Sequence, residues 1–172
     1  MILYPKIYLN NVQQITYELL IKNNIQGLIL DVDNTLIDYD KNMPEGIKTW
    51  CEDLKQEGIQ FCIVSNSNKK EKVEMVANIL KIPYIYFAKK PLKAGLVRAK
   101  KKINLPFEKI AVVGDQIFTD VLGANRCHMT SILVEPIKEK DIFITVIKRP
   151  IENYIKRKYK QKMKGEKTNV YT

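Results

Sequence analysis

The sequence predicts an α/β fold, a three-layer sandwich in which helices cover a parallel sheet of about five strands. Two observations predict it. Short apolar runs alternate with longer segments of helical periodicity, and the apolar runs are continuous, without a polar residue at every second position. Continuous apolar strands are typical of a parallel sheet that is buried on both faces. The alternation of strand and helix implies right-handed crossovers between parallel strands.

The predicted elements follow from apolar periodicity and from residues that start and stop helices. An amphipathic helix over 11–24 is expected first, and Gly27 separates it from the first strand, 28–31. Four further strands are expected at 59–64, 83–87, 109–113 and 131–134, and four further helices at 44–57, 69–81, 92–103 and 117–127. Pro44 and Gly58 are typical boundaries for the second helix. Asn68 with Glu71 resembles a capping box at the start of the third.

The composition is typical of a soluble globular protein. Hydrophobic residues make up 45% of the 172 residues and charged residues 28%. No apolar run approaches the roughly 20 residues of a membrane span, and the N-terminus lacks the layout of a signal peptide. Cys51, Cys62 and Cys127 are odd in number and lack C-x-x-C spacing, which disfavours disulfides and zinc knuckles and favours the cytoplasm. Cys127 adjoins the single histidine, His128, but two ligands do not make a metal site.

The positive charge is concentrated at the C-terminus. The formal net charge is +10, and residues 148–172 hold nine lysines and arginines against two glutamates, a net +7 that leaves +3 for the other 147 residues. Apolar residues recur at helical spacing among these cations, namely Ile151, Tyr154, Ile155 and Tyr159. We therefore expect one domain over 1–150 and a basic C-terminal helix or tail over 151–172.

Three interpretations of the basic tail remain open. A terminal helix of this pattern docks its apolar face on the protein body and leaves its charges in water. Basic amphipathic helices also bind anionic membrane surfaces. Tyrosines interleaved with lysines are equally typical of nucleic-acid binding. The sequence does not distinguish lipid from nucleic acid.

Polar residues suited to phosphoryl chemistry follow four successive predicted strands. They are, strand by strand, Asp31 with Asp33, Ser65 with Asn66, Lys90, and Asp115 with Asp120. Each residue alone also suits a turn, a helix cap or a solvated charge. Ligands of parallel sheets bind beyond the carboxyl ends of the strands, so the joint placement predicts a single site.

The aspartate pair at the first strand carries the chemical argument. Residues at i and i+2 of a strand point to the same side, so Asp31 and Asp33 are expected to lie close together. Two neighbouring carboxylates repel unless a cation lies between them or one of them takes a proton. This arrangement suits a Mg²⁺-assisted nucleophile with a neighbouring acid/base.

These residues form four motifs, Asp31-Val-Asp-Asn-Thr35, Ser65-Asn66, Lys90-Pro91 and Gly114-Asp-Gln-Ile-Phe-Thr-Asp120. Over residues 1 to about 150 the chain resembles the haloacid dehalogenase (HAD) superfamily of phosphohydrolases, in which these motifs occur in this order. The segments LILDVDNTLI, CIVSNSN, AKKPLKA and VVGDQIFTDVLGANR are similar to the capless, YqeG-type subgroup of subfamily IIIA. That subgroup is similar to the mitochondrial phosphatase that acts on phosphatidylglycerophosphate.

The resemblance implies roles in catalysis and phosphate binding. Asp31 would be the nucleophile that forms an aspartyl-phosphate, and Asp33 the acid that protonates the leaving oxygen and then activates water. The presence of Asp33 argues for hydrolysis. Ser65, helped by the backbone of Asn66, would bind the transferring phosphoryl group, and Lys90 would neutralise its charge.

The resemblance also implies a metal site. Mg²⁺ would be held by the carboxylates of Asp31 and Asp115 and by the backbone carbonyl of Asp33. Asp120 would act behind these ligands or through water. Oxygen ligands with several retained waters are what Mg²⁺ prefers.

The spacing between motifs leaves no room for a cap domain. Asp31 and Ser65 are 34 positions apart, and Ser65 and Lys90 are 25 apart, enough for one helix and one strand in each case. The site is therefore expected to be open. Open sites suit substrates that bring their own bulk, such as lipids at a bilayer, nucleic-acid ends or proteins.

The leading hypothesis is a Mg²⁺-dependent phosphatase of phosphatidylglycerophosphate, cytoplasmic and peripheral on the inner face of the membrane. A phosphatase of nucleic-acid ends or phosphoproteins is the first alternative. The second is a basic, RNA-associated binding module with little turnover. The intact set of Asp31, Asp33, Lys90 and Asp115 counts against that module.

Overall fold

The computed structural model describes residues 2–138 and 143–168, and of residues 143–149 and 165–168 it describes the backbone only. Six strands form one parallel sheet in this part of the chain. The strands are β1 Ile7–Leu9, β2 Gly27–Leu30, β3 Gln60–Val64, β4 Tyr84–Ile85, β5 Ile110–Gly114 and β6 Thr130–Val134. They lie in the order β1-β6-β5-β2-β3-β4. The α/β class is confirmed, with six strands where about five were expected.

In the same part of the chain, five helices connect successive strands, and a sixth follows β6. They are α1 Tyr17–Lys22, α2 Ile47–Gln56, α3 Lys70–Leu80, α4 Lys93–Ile103, α5 Leu122–Arg126 and α6 Phe143–Thr168. A π-helical turn, Ile117–Val121, precedes α5. The predicted helix over 11–24 is instead a 3₁₀ turn, Val12–Gln14, followed by α1, which the Thr16 side chain caps by accepting from the Leu19 N–H at 3.2 Å.

Two local predictions were wrong. Strand β1 was missed, because three residues between Pro5 and Asn10 carry too little pattern, and the strand exists by pairing with β6 more than 120 positions later. The capping box at Asn68 and Glu71 does not form. The N-cap of α3 is Lys69 without a side-chain cap, and the Lys69 N–H donates to Ser67 Oγ at 3.2 Å.

The core lies on both faces of the sheet. Along β2, Leu28 and Leu30 belong to the cluster under α2 and α3, while Ile29 belongs to the cluster under α4. This division follows from the alternation of side chains along a strand. Because both faces of the sheet are covered, β2 is apolar throughout. Asp31 is the first residue after β2, where the chain leaves the core.

Helix α6 packs against the body through one side. Ile155 is 4% exposed and joins a cluster with residues of β6 and of the π-helical turn. Lys156 pairs with Glu135 at 3.0 Å, and the Tyr159 ring lies 5.9 Å from that of Tyr4. Ile151 and Tyr154 are exposed. Among the described residues, no helix combines the length and the apolarity needed to cross a bilayer.

Candidate active site

The four strands that carry the predicted site are neighbours in the sheet, in the order β5-β2-β3-β4. Their carboxyl ends therefore meet at one edge. Lys90 Nζ lies 2.6 Å from Asp31 Oδ1 and 2.7 Å from Asp120 Oδ1. The ammonium group thus joins the acidic residue after β2 to the acidic residue in the turn after β5. These contacts bring together side chains that are 59 and 30 positions apart in sequence.

Lys90 is a buried cation held by two carboxylates. Burial alone would lower the pKa of Lys90, but the carboxylates of Asp120 and Asp31 more than offset this effect, so its pKa is raised. The side chain is therefore a fixed positive charge over the whole physiological range of pH. A desolvated charge of this kind acts more strongly on a neighbouring anion than the same charge in water.

Asp31 is also buried, and its protonation is finely balanced. Burial raises the pKa of Asp31 to about 7, Lys90 partly opposes this shift, and the nearby Asp120 and Asp33 carboxylates add to it. The contact with Lys90 fixes Asp31 Oδ1 and thereby orients the carboxylate. A small change in the local positive charge will therefore decide whether Asp31 carries a proton near neutral pH.

Three carboxylates form an acidic cluster that suits a divalent cation. Oxygen atoms of Asp31, Asp115 and Asp120 all lie within 4.8 Å of one another. Burial and the charges of Asp31 and Asp120 raise the pKa of Asp115 well above its usual value. Asp115 Oδ1 is buried and has no hydrogen-bond partner among the described residues. A buried oxygen without a partner beside two further carboxylates is the donor set of a hard cation, so the residues fit a magnesium-type ion.

The turn after β2 is built on its own backbone. The carbonyl of Val32 accepts hydrogen bonds from the N–H groups of three following residues, Thr35, Leu36 and Ile37. Asn34 adopts φ 62°, and its side chain donates to the Lys138 carbonyl at 2.8 Å and accepts from the Lys138 N–H at 3.0 Å. Asp33 is partly exposed at this turn and contacts Lys72 of α3. The tight turn therefore carries Asp31 inward and Asp33 toward the open rim.

The segment after β3 supports Lys90. Ser65 is fully buried, and its Oγ accepts from the Ser67 N–H at 3.1 Å. The Asn66 side chain forms two hydrogen bonds with the backbone of Lys90. Its Nδ2 donates to the Lys90 carbonyl at 2.9 Å, and its Oδ1 accepts from the Lys90 N–H at 2.6 Å. The side chain of Asn66 therefore positions the site lysine.

Two residues near the site were not predicted. Lys72 contacts the Asp33 carboxylate from the first turn of α3. Glu152 of α6 accepts a hydrogen bond from the Ile117 N–H at 3.2 Å, at the start of the turn that carries Asp120. Neither residue belongs to a motif. Both contacts depend on how a helix packs against the sheet, so no local signal in the sequence reveals them.

The segments between the motifs of the site are short. Between Asp31 and Ser65 the chain forms a loop, α2 and β3, and between Ser65 and Lys90 it forms α3 and β4. All residues of these two intervals are described, and none of them forms a cap domain. The predicted absence of a cap is confirmed.

Comparison with known proteins identifies the family. The model of a family described as mitochondrial PGP phosphatase matches residues 1–138. The chain belongs to this family. It is 40% identical over 159 residues to the Bacillus subtilis (strain 168) protein named "Probable phosphatase YqeG", with 92% of both chains covered. The chain is thus a HAD-superfamily phosphatase of the YqeG type, as its motifs predicted, and the low-turnover binding module is disfavoured.

Solved structures agree with the fold of this phosphatase. The cobalt-bound form of the deoxy-D-mannose-octulosonate 8-phosphate phosphatase of Haemophilus influenzae superposes with a TM-score of 0.54, at 17% identity, covering 80% of this chain and 90% of that one. An uncharacterized protein of Listeria monocytogenes serotype 4b superposes with a TM-score of 0.55, at 17% identity, covering 69% and 85%. At such identities the likeness establishes the HAD-like fold.

Proposed function

We propose that this phosphatase hydrolyses the terminal phosphomonoester of phosphatidylglycerophosphate, with Mg²⁺ as cofactor and an aspartyl-phosphate as intermediate. One observation carries the chemistry. The buried ammonium of Lys90 joins Asp31 to Asp120 beside an Asp115 oxygen that has no hydrogen-bond partner in the described part of the chain. This arrangement supplies a nucleophile, a fixed positive charge and a cation site within one small volume.

The reaction has two displacements at phosphorus. In the first, an oxygen of Asp31 bonds to phosphorus while the bond from phosphorus to the glycerol oxygen breaks, and Asp33 donates a proton to that oxygen. In the second, Asp33 removes a proton from water as the water oxygen attacks phosphorus. The bond between Asp31 and phosphorus then breaks, inorganic phosphate leaves, and both aspartates return to their starting states.

The remaining residues position the reacting groups and balance charge. Lys90 offsets negative charge that develops on the phosphoryl oxygens, and Asn66 holds the backbone of Lys90 in place. Ser65 and the backbone of Asn66 would bind the phosphoryl group. Bound Mg²⁺ would supply further positive charge at the phosphoryl group. The carboxylates of Asp31 and Asp115 would hold it, with the Asp33 carbonyl as the resemblance implies.

Two features support a phospholipid substrate. The chain belongs to a family described as mitochondrial PGP phosphatase. The rim above Asp31 is uncapped, so the head group of a lipid in a bilayer can enter without the lipid leaving the membrane. A lipid substrate also supports a peripheral position at an anionic membrane, where the basic tail contributes attraction.

Substrate hydrolysis tests the proposal. The purified protein is incubated with Mg²⁺ and detergent-solubilised phosphatidylglycerophosphate, oligonucleotides with 3′- or 5′-phosphate, a phosphopeptide or an aryl phosphate. We expect phosphate release from the lipid, abolished in Asp31→Asn and retained in Asp40→Asn, a matched change at an aspartate outside the acidic cluster. Release from oligonucleotides or the phosphopeptide but not from the lipid contradicts the proposed substrate.

The intermediate is tested separately. With a ³²P-labelled aryl phosphate, whose leaving group needs little protonation, Asp33→Asn should accumulate a phosphorylated protein that hydroxylamine cleaves, because the second displacement loses its base. Asp31→Asn should show no such label. Label on Asp31→Asn, or none on Asp33→Asn despite residual turnover, contradicts the aspartyl-phosphate.

A further inference from the structure

The loop between β4 and α4 exposes apolar side chains next to the site. We call residues 86–92 the rim loop, since the buried Lys90 lies within it. Phe87 is 50% exposed, and Tyr86 and Leu92 are exposed as well. Three large apolar side chains in solvent within seven residues form a patch of the kind that marks an interaction surface.

The backbone of the rim loop holds Phe87 outward at a conformational cost. Phe87 has φ 48° and Lys89 has φ 57°, a left-handed conformation that is unfavourable for bulky residues. The Phe87 N–H donates to the Ser67 carbonyl and the Ala88 N–H to the Ser65 carbonyl, each at 2.9 Å. The loop is therefore tied to the floor of the site, while the Phe87 ring is left half in solvent. Asparagine or glycine would suit this backbone better, so the backbone conformation does not explain a phenylalanine at this position.

Cations accompany the apolar side chains of the rim loop. Lys89 Nζ lies 4.8 Å from the centre of the Phe87 ring. A shallow groove is lined by Tyr86, Phe87, Leu92 and Arg98, with Lys89 at its side. Aromatic and aliphatic tips flanked by lysine and arginine are the chemistry of a surface that enters the interface of an anionic bilayer.

We infer that the rim loop docks this phosphatase on an anionic phospholipid bilayer, with Phe87 and Leu92 buried among the lipids and Lys89 and Arg98 at the head groups. The inference rests on the proposed function for the identity of the substrate, but not for the docking itself. Lys90 follows Phe87 by three positions, so docking through Phe87 places the bilayer next to the segment that carries the site lysine. A bilayer is favoured over single-stranded nucleic acid because the aliphatic Leu92 gains from hydrocarbon and offers no ring for base stacking.

Vesicle binding by Phe87→Asn tests the inference. Asparagine tolerates positive φ, so this variant should melt at the same temperature as the parent or higher, and a loss of binding then has no origin in unfolding. We expect Phe87→Asn to bind phosphatidylglycerol–phosphatidylcholine vesicles at least about tenfold more weakly than the parent, because less apolar area enters the membrane. Ile21→Asn is the control, since Ile21 is 55% exposed near the end of α1, shortly before β2 begins and so toward the amino ends of the strands, away from the rim loop. Equal binding by both variants and the parent overturns the inference.

A fluorescence experiment reports insertion directly. The chain has one tryptophan, Trp50, which is buried and donates to the Ile15 carbonyl, so its emission is a constant background. Emission from Phe87→Trp should shift to shorter wavelength when phosphatidylglycerol vesicles are added, and brominated lipids should quench it. Ile21→Trp should show neither effect. If the emission of Phe87→Trp neither shifts with vesicles nor is quenched by brominated lipids, the inference is overturned.

The outcomes separate docking from substrate. If the parent protein fails to hydrolyse detergent-solubilised phosphatidylglycerophosphate while Phe87→Asn loses vesicle binding, the proposed substrate fails and the docking surface stands. If the parent protein hydrolyses that lipid while Phe87→Asn binds vesicles as the parent does, the proposed substrate stands and the docking surface fails. If Phe87→Asn instead weakens binding only to a single-stranded RNA oligonucleotide, the rim loop binds nucleic acid and the inference is overturned.

Discussion

Lys90 places one positive charge among three buried carboxylates, and a single substitution can test how far the site depends on it. Lys90→Met removes the charge but keeps the length of the side chain. We expect phosphatase activity to fall by about 10²–10³-fold or more, since a fixed cation at the phosphoryl group is lost. In EDTA, we also expect the free energy of unfolding to fall by about 3–5 kcal/mol, because breaking a buried ion pair leaves its partner uncompensated.

Lys93→Met is the control for Lys90→Met. Lys93 begins α4 three positions later and is exposed. Activity on an aryl phosphate and the urea midpoint are the two measurements. Comparable losses in both variants would mean that the ammonium of Lys90 has no special role.

Protonation of Asp31 makes cation binding depend on pH. Because the pKa of Asp31 is raised to about 7, the group is mostly protonated at pH 6 and mostly ionised at pH 8. A cation must displace that proton and any proton on Asp115, whose pKa is also raised, so Mg²⁺ affinity should rise by at least about tenfold between pH 6 and pH 8. Calorimetric titration in buffers of different ionisation enthalpy would count the proton released. Equal affinity at both values of pH would contradict a cation bound through Asp31.

The candidate site residues at strand ends could be placed together from the sequence, and the residues that contact them from other elements could not. Asp31, Ser65, Lys90 and Asp115 follow apolar runs directly or within a few residues, so a parallel sheet brings them together whatever else the chain does. Lys72 contacts Asp33 from a helix, and its proximity depends on how that helix lies across the sheet. Its position in the sequence is that of any lysine in a first helical turn.

Helix α6 offers a matched pair of isoleucines for measuring how firmly it docks. Ile155 is 4% exposed, and Ile151, one turn earlier, is 52% exposed. We expect Ile155→Ala to lower the free energy of unfolding by about 2–5 kcal/mol, since it removes buried methyl groups and leaves a cavity. Ile151→Ala should change it by about 0.5 kcal/mol or less. Denaturant melts of the two variants provide the measurement, and equal values would mean that α6 does not dock as described.

The elements that the sequence revealed are those with a strong apolar pattern. Strands β2, β3, β5 and β6 and helices α2, α3 and α4 were found within a few residues of their observed bounds. Strand β1 was missed because its stability comes from β6, a partner distant in the chain. The segment predicted as a helix over 117–127 divides into a π-helical turn and α5. The turn places Asp120 beside Lys90, and the apolar periodicity of the sequence does not reveal it.

Helix α6 packs against β1 and the residues just before it, at the β1 edge of the sheet. The rings of Tyr4 and Tyr8 contact Tyr159, and the Glu135 carboxylate accepts hydrogen bonds from Tyr8 and Lys156. Docking on this edge leaves Arg157 and Lys158 exposed. The docked and the membrane-binding interpretations of the tail are therefore compatible, since one side of α6 packs against the body while the other keeps cations in solvent.

Two double variants can distinguish the effect of the cations on the exposed side of α6 from the effect of net charge on vesicle binding. The double variant Arg157→Gln/Lys158→Gln and the double variant Lys101→Gln/Lys102→Gln each lower the net charge from +10 to +8, the second at the far end of α4 and away from the site. Each well-placed cation contributes about 1 kcal/mol at an anionic membrane, so we expect the first variant to bind phosphatidylglycerol vesicles about 30-fold more weakly at low salt.

The second double variant should bind nearly as the parent does, and both differences should shrink at about 0.5 M NaCl, where screening is strong. Melting temperatures should stay within about 2 °C of the parent, because all four cations are exposed. Equal weakening by the two variants would mean that net charge alone attracts the protein to vesicles. Selective weakening by the α6 variant would mean that the exposed side of this helix itself contacts the membrane, because the two variants remove the same charge from different surfaces.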